Sequence, residues 1–100
     1  MKFENIENAL AMIEAGKPIV LLDDSDANDT ASYLVQSAAH CTEEAVNFMA
    51  VHCLGVICVG IDGPRAAHLE LIPMPGNQDN PGNEGFTISV EAREGGSTGI

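Results

Sequence analysis

The sequence predicts an α/β or α+β domain, in which helices cover a mixed and largely buried sheet. Segments with helical and with strand periodicity alternate along the chain, and two of the strand segments are apolar throughout. Hydrophobic residues make up 45% of the 100 residues, which favours a folded core over disorder. A chain of this length is expected to form one domain, residues 1–100, because it is too short for two cores.

The first helix and the first strand are predicted from the opening of the chain. Residues 5–15 carry apolar side chains at helical spacing, namely Ile6, Ala9, Leu10 and Ile13. Gly16 supplies the left-handed conformation that commonly ends a helix. Residues 19–22 then form an uninterrupted apolar run, which is typical of a strand buried on both faces.

A second strand and a second helix are expected next. Residues 33–39 contain β-branched and small side chains that favour a strand. Thr42 is a good N-cap, and Glu43 and Glu44 would meet the positive end of the helix dipole. Helical spacing then continues towards Gly55, through Ala45, Phe48, Met49 and His52.

The remaining elements are shorter. Residues 56–59 are fully apolar and predict another strand, and Asp62 begins a short helix that extends through Leu69. Prolines, glycines and asparagines predict a loop over residues 73–85. Residues 86–91 alternate apolar and polar side chains and predict a strand with one face towards the core.

The charge balance excludes several classes of partner. Fifteen acids against four Lys and Arg give a net charge of −11, and no basic run exists, so nucleic-acid binding is not expected. No apolar segment approaches the length that spans a bilayer, and the N-terminus lacks a signal-peptide pattern. The three cysteines form no metal-binding spacing and are expected to be reduced. The protein is therefore expected to be soluble and cytoplasmic.

Four aspartates follow the first predicted strand within one polar loop, at Asp23, Asp24, Asp26 and Asp29. A buried strand that ends in a carboxylate cluster suits a divalent-metal or proton-transfer site, because the strand fixes the backbone and the loop presents the acids. The alternative interpretation is a solvated, turn-rich loop in an acidic protein. A dedicated calcium loop is disfavoured, since a loop that starts at Asp24 lacks the glycine at its sixth position and the glutamate at its twelfth.

Seven segments in a shared order carry a resemblance to one family. They are the opening helix at 6–16, VLLDD at 20–24, TEEAVNFM at 42–49, GVICV at 55–59, HLELIPM at 68–74, FTISVEAREG at 86–95 and STGI at 97–100. With this order and spacing the chain resembles the 3,4-dihydroxy-2-butanone 4-phosphate synthase family of riboflavin biosynthesis. The resemblance implies a truncated version of the synthase fold. It also implies the family's Mg²⁺-assisted conversion of ribulose 5-phosphate, which releases formate.

The resemblance places much of this chemistry in a loop written D-D-E-D-R-E-N-E-G-D-L, in which the arginine holds phosphate, a glutamate binds metal and the last aspartate is catalytic. This chain retains Asp23, Asp24 and Asp26, but it has Ala27 and Asn28 where Arg-Glu is expected. Tyr33 stands in the place of the catalytic aspartate. From the resemblance, the candidate residues for binding a sugar phosphate are Asp24, Asp26 and Thr98. Asp29 is the candidate ligand for Mg²⁺.

Three functions are compatible with this pattern. The favoured one is a non-catalytic or degenerate relative of the synthase, acting as an oligomeric scaffold or regulatory domain. The second is a working Mg²⁺-dependent lyase completed by a second chain, and the third is a small-molecule or metal-binding module. The family's later half, with a metal-binding histidine, has no counterpart before Ile100, and His40, His52 and His68 are expected to be structural. A truncated fold exposes sheet edges, so a homo-oligomer, most simply a dimer, is expected.

Overall fold

The computed structural model describes residues 2–76 and 85–96. It contains helices and a two-stranded sheet, which confirms the α+β class. Two compact units are present, Met1–Val59 and Gly60–Ile100, and the prediction of a single domain stays a prediction. The elements in order are α1 (Ile6–Glu14), β1 (Ile19–Asp23), β2 (Ala31–Val35), a 3-10 turn (Ala38–His40), α2 (Glu43–His52) and α3 (Gly63–His68).

Helix α1 has a defined cap at each end. At the start, the Asn5 side chain accepts a hydrogen bond from the backbone N–H of Asn8 at 2.8 Å. At the end, Gly16 has a φ of 77° and donates its N–H to Ile13, while the next N–H reaches the carbonyl of Met12 at 2.9 Å. This pair of bonds is the Schellman arrangement that a left-handed residue allows. The predicted role of Gly16 is confirmed.

Strands β1 and β2 form an antiparallel hairpin, whose register runs from Ile19 opposite Val35 to Asp23 opposite Ala31. The predicted first strand is confirmed and is one residue longer than its apolar run. The second strand lies earlier than predicted, because it ends at Val35 and residues 38–40 form a 3-10 turn. The register explains the shift: β1 begins opposite Val35, so the residues beyond Val35 have no strand to pair with.

The sheet is less buried than the sequence predicts. No residue in the described part of the chain is buried, and Val20 in β1 is 72% exposed. Only α1 packs closely against the hairpin, on β1, among the described elements. One helix cannot cover both faces of a sheet, so the apolar run of β1 is exposed here instead of being enclosed on both sides.

Helix α2 begins at the predicted cap, where the Thr42 hydroxyl accepts a hydrogen bond from Ala45 N–H at 3.2 Å. The helix ends at His52, before the predicted stop at Gly55. Leu54 follows with a φ of 57°, in the left-handed region that most residues avoid. A turn at Leu54 therefore ends helix α2, one residue before Gly55, where the sequence predicts its end.

The second unit contains α3, which begins at the predicted cap. An oxygen of the Asp62 carboxylate accepts a hydrogen bond from Arg65 N–H at 2.8 Å. The helix ends in a second Schellman arrangement, in which Glu70 N–H reaches Ala67 and Leu71 N–H reaches Ala66. Glu70 has a φ of 56°, although this conformation favours glycine.

Two predicted strands are not found as strands. Residues 56–59 form none, because an apolar run becomes a strand only when its backbone pairs, and the described residues offer these four no partner. In the predicted strand 86–91 a single antiparallel bridge joins Thr87 to Pro73. Residues 77–84 of the predicted loop lie outside the described residues. No helix in the described ranges is long and apolar enough to cross a membrane.

Candidate functional site

The four aspartates lie at one end of the hairpin. Asp23 is the last residue of β1, and Asp24, Asp26 and Asp29 lie in the connection to β2. All four side chains are exposed. We call residues 23–30 the acidic loop. As predicted, a strand leads directly into a polar loop that carries the carboxylates. The strand itself is not buried between other elements.

Hydrogen bonds inside the acidic loop use two of its carboxylates. An oxygen of Asp23 accepts the N–H of Ser25 at 3.0 Å, and an oxygen of Asp26 accepts the N–H of Asn28 at 2.9 Å. The carbonyl of Asp26 also accepts the N–H of Asp29 at 3.1 Å. These are the local bonds by which aspartates close turns. The two carboxylates therefore help to shape the loop itself.

One carboxylate of the loop has a shifted pKa. Hydrogen bonds from the Ser25 side chain and backbone hold the pKa of Asp23 below its ordinary value of 3.8 and outweigh the small opposing effect of desolvation. Both bonds stabilise the charged form. Asp23 is therefore a carboxylate at neutral pH and not a poised general acid.

The described side chains form no metal site with three or more protein ligands. No group of three or more His, Cys, Asp or Glu side chains in the described ranges is arranged to hold a metal. Mg²⁺ is usually bound by one or two carboxylates together with waters and substrate oxygens, so any Mg²⁺ at this loop would depend on such ligands. The ligand role of Asp29 and the substrate contacts of Asp24 and Asp26 stay predictions, and Thr98 lies outside the described residues.

Two of the positions that depart from the family's loop pattern lie in different parts of the structure. Ala27 lies within the acidic loop, whereas Tyr33 is the central residue of β2, opposite Leu21, with 51% of its side chain exposed. A methyl group offers no hydrogen bond to a phosphate, and a phenol has no carboxylate oxygens. Neither side chain can replace the guanidinium or carboxylate that the resemblance implies.

Two of the histidines make contacts of the structural kind that the sequence predicts. The ring of His52 lies against Phe48, with the ring centroids 4.5 Å apart. A ring nitrogen of His40, Nδ1, lies 3.2 Å from the Ser37 hydroxyl. His40 also packs against the turn at Gly16. These contacts use the rings for packing and for a local hydrogen bond.

Sequence reasoning missed two features near α1. The side chain of Gln36 donates a hydrogen bond to the carbonyl of Gly16 at 3.0 Å and ties the end of β2 to the turn after α1. A shallow groove of about 350 Å³ also follows the helix, lined by Glu4, Asn8, Ala11, Met12, Ala15 and Lys17. No residue of the acidic loop lines it. The only sequence pattern that could have predicted this groove is the spacing of polar residues along the helix. Such spacing is common on helices that face solvent.

Comparison with known proteins shows a match along almost the whole chain. The family model described as 3,4-dihydroxy-2-butanone 4-phosphate synthase matches residues 7–100. The chain is similar to the protein of that name from Pseudomonas putida, with 35% identity over 99% of this chain and 45% of the relative. The synthase of Vibrio parahaemolyticus is also 35% identical, over 95% of this chain and 43% of the relative.

A third relative is the riboflavin biosynthesis protein RibBA of Rhodococcus jostii, which is 42% identical over 99% of this chain and 24% of its own length. The chain thus spans less than half the length of each of these relatives. No solved structure gives a significant match.

Proposed function

Since this chain belongs to the 3,4-dihydroxy-2-butanone 4-phosphate synthase family, we propose that it is a non-catalytic member of the family, an oligomeric scaffold or regulatory domain in riboflavin biosynthesis. The observation that carries the proposal is the residue make-up of the acidic loop and of the strand β2 that follows it. Ala27 and Asn28 occupy the positions where the family's pattern has Arg-Glu, and Tyr33 occupies that of an aspartate.

The charges of the acidic loop are unfavourable for phosphate binding. A sugar phosphate is a dianion that proteins hold with a guanidinium fork, an ammonium or several backbone N–H groups. The four basic residues, Lys2, Lys17, Arg65 and Arg93, all lie outside the acidic loop. The loop itself carries four carboxylates in a chain of net charge −11, so its field repels an anionic substrate.

Two of the loop carboxylates already have local hydrogen-bond partners. Asp23 and Asp26 each direct an oxygen to a backbone N–H of the loop, and no group of three or more described His, Cys, Asp or Glu side chains is arranged to hold a metal. Tyr33 lies within a strand and carries a phenol instead of a carboxylate. These features support a loop that does not move a proton or bind a metal as the family's loop does.

A direct assay tests the absence of turnover. The chain would be incubated with ribulose 5-phosphate and Mg²⁺, and formate would be measured, with the Pseudomonas putida synthase as positive control. We expect no formate above the protein-free blank. Sustained formate release by this chain alone would contradict the proposal.

A segment exchange tests whether the acidic loop together with the start of β2, which includes Tyr33, is the reason for the absence of turnover. The corresponding loop of the Pseudomonas putida synthase would be replaced by residues 23–34 of this chain, and kcat would be measured. We expect a loss of about a hundredfold or more, because phosphate and proton-transfer groups each contribute on that scale. A matched control would exchange residues 42–52 instead, where the similarity is helical and no catalytic group is implied. An active loop chimera would contradict this explanation.

Association is the second part of the proposal. No described residue is buried, and large apolar side chains such as Val20, Leu21 and Tyr33 are at least half exposed on the hairpin. Exposed apolar surface of this kind favours self-association. We propose a homo-oligomer, most simply a dimer, and multi-angle light scattering at increasing concentration is the test. A monomer at every concentration would contradict it.

The retained aspartates favour one alternative, a working synthase completed by a second chain. Asp23, Asp24 and Asp26 keep the family's residue types at the start of the loop. This chain would be mixed with the part of the Pseudomonas putida synthase that it does not match, and formate would be measured. Formate from the mixture, but from neither part alone, would support the alternative. Its absence, with both parts folded, would contradict it.

A further inference from the structure

No further inference is drawn: the strongest candidate, the shallow groove that follows α1 between Glu4 and Lys17, is lined by exposed side chains alone, and nothing in the described part of the chain shows what covers it.

Discussion

At the scale of single residues, individual carboxylates of the acidic loop accept local hydrogen bonds that shape the loop. Asp23 and Asp26 each accept a backbone N–H two residues further along the chain. Such bonds stabilise turns, and at Asp23 they also lower the pKa of the carboxyl group. The same residue types at the end of a strand could equally have formed a ligand set, and only the direction of each oxygen distinguishes the two outcomes.

The hydrogen bonds to Asp23 give a prediction about its titration. Removal of the hydroxyl in Ser25→Ala is expected to raise the pKa of Asp23 towards its ordinary value of 3.8. A folded-state pKa below the unfolded one stabilises the fold above the unfolded value, and this contribution is lost as the pH falls through the folded pKa. The loss in the unaltered chain is therefore expected below pH 3.8. Carboxyl carbon chemical shifts would measure the pKa, with Ser32→Ala as control.

The backbone of Glu70 gives a second prediction. Its φ of 56° is unfavourable for a residue with a Cβ, by roughly 1–2 kcal/mol. Glu70→Gly is expected to raise the free energy of unfolding by up to about 1 kcal/mol, since the added freedom of glycine in the unfolded chain offsets part of the gain. Urea denaturation would measure it. Glu44→Gly, within a helix, should instead destabilise by about 1 kcal/mol, and stabilisation by both changes would contradict the explanation.

At the scale of elements, the turn after α1 holds the first unit together. The Schellman arrangement at Gly16 ends the helix, and the carbonyl of Gly16 accepts the hydrogen bond from Gln36 beyond β2. His40 packs against the same residue. One left-handed glycine therefore sets both the direction in which β1 leaves the helix and the point where the hairpin returns to it.

Gly16→Ala tests this role. A Cβ at Gly16 would lie 3.2 Å from the Cβ of His40, and the left-handed φ would be retained at a cost. We expect the free energy of unfolding to fall by about 1–2 kcal/mol. Gly60→Ala is the matched control, because nothing lies within 4 Å of a Cβ there, and it should change stability by less than about 0.5 kcal/mol. Equal effects in thermal denaturation would contradict the proposed role of the turn.

At the scale of the whole molecule, charge and exposed apolar surface act in opposite directions. A net charge of −11 opposes the approach of a second copy, whereas exposed apolar residues along the hairpin favour it. Added salt is expected to favour association, because it screens the repulsion and leaves the apolar surface unchanged.

Magnesium should have no specific effect on stability. Because no group of three or more described His, Cys, Asp or Glu side chains is arranged to hold a metal, we expect millimolar Mg²⁺ to raise the Tm no more than NaCl at the same ionic strength. The NaCl arm is needed because any salt screens repulsion in so acidic a chain. A larger rise with Mg²⁺ that disappears in Asp29→Asn would contradict this expectation and would establish the predicted ligand role of Asp29.

The sequence by itself determined the features that depend on neighbours a few positions apart. The caps at Thr42 and Asp62, the left-handed Gly16 and the strand that begins at Ile19 are all present where their residue types predicted them. The order of the matched segments likewise determined the family. Only the tertiary structure decided the register of β2, the absence of a strand at residues 56–59 and the directions of the loop carboxylates. Those outcomes depend on contacts between residues that are far apart in the sequence. Local conformational propensity carries no information about such contacts.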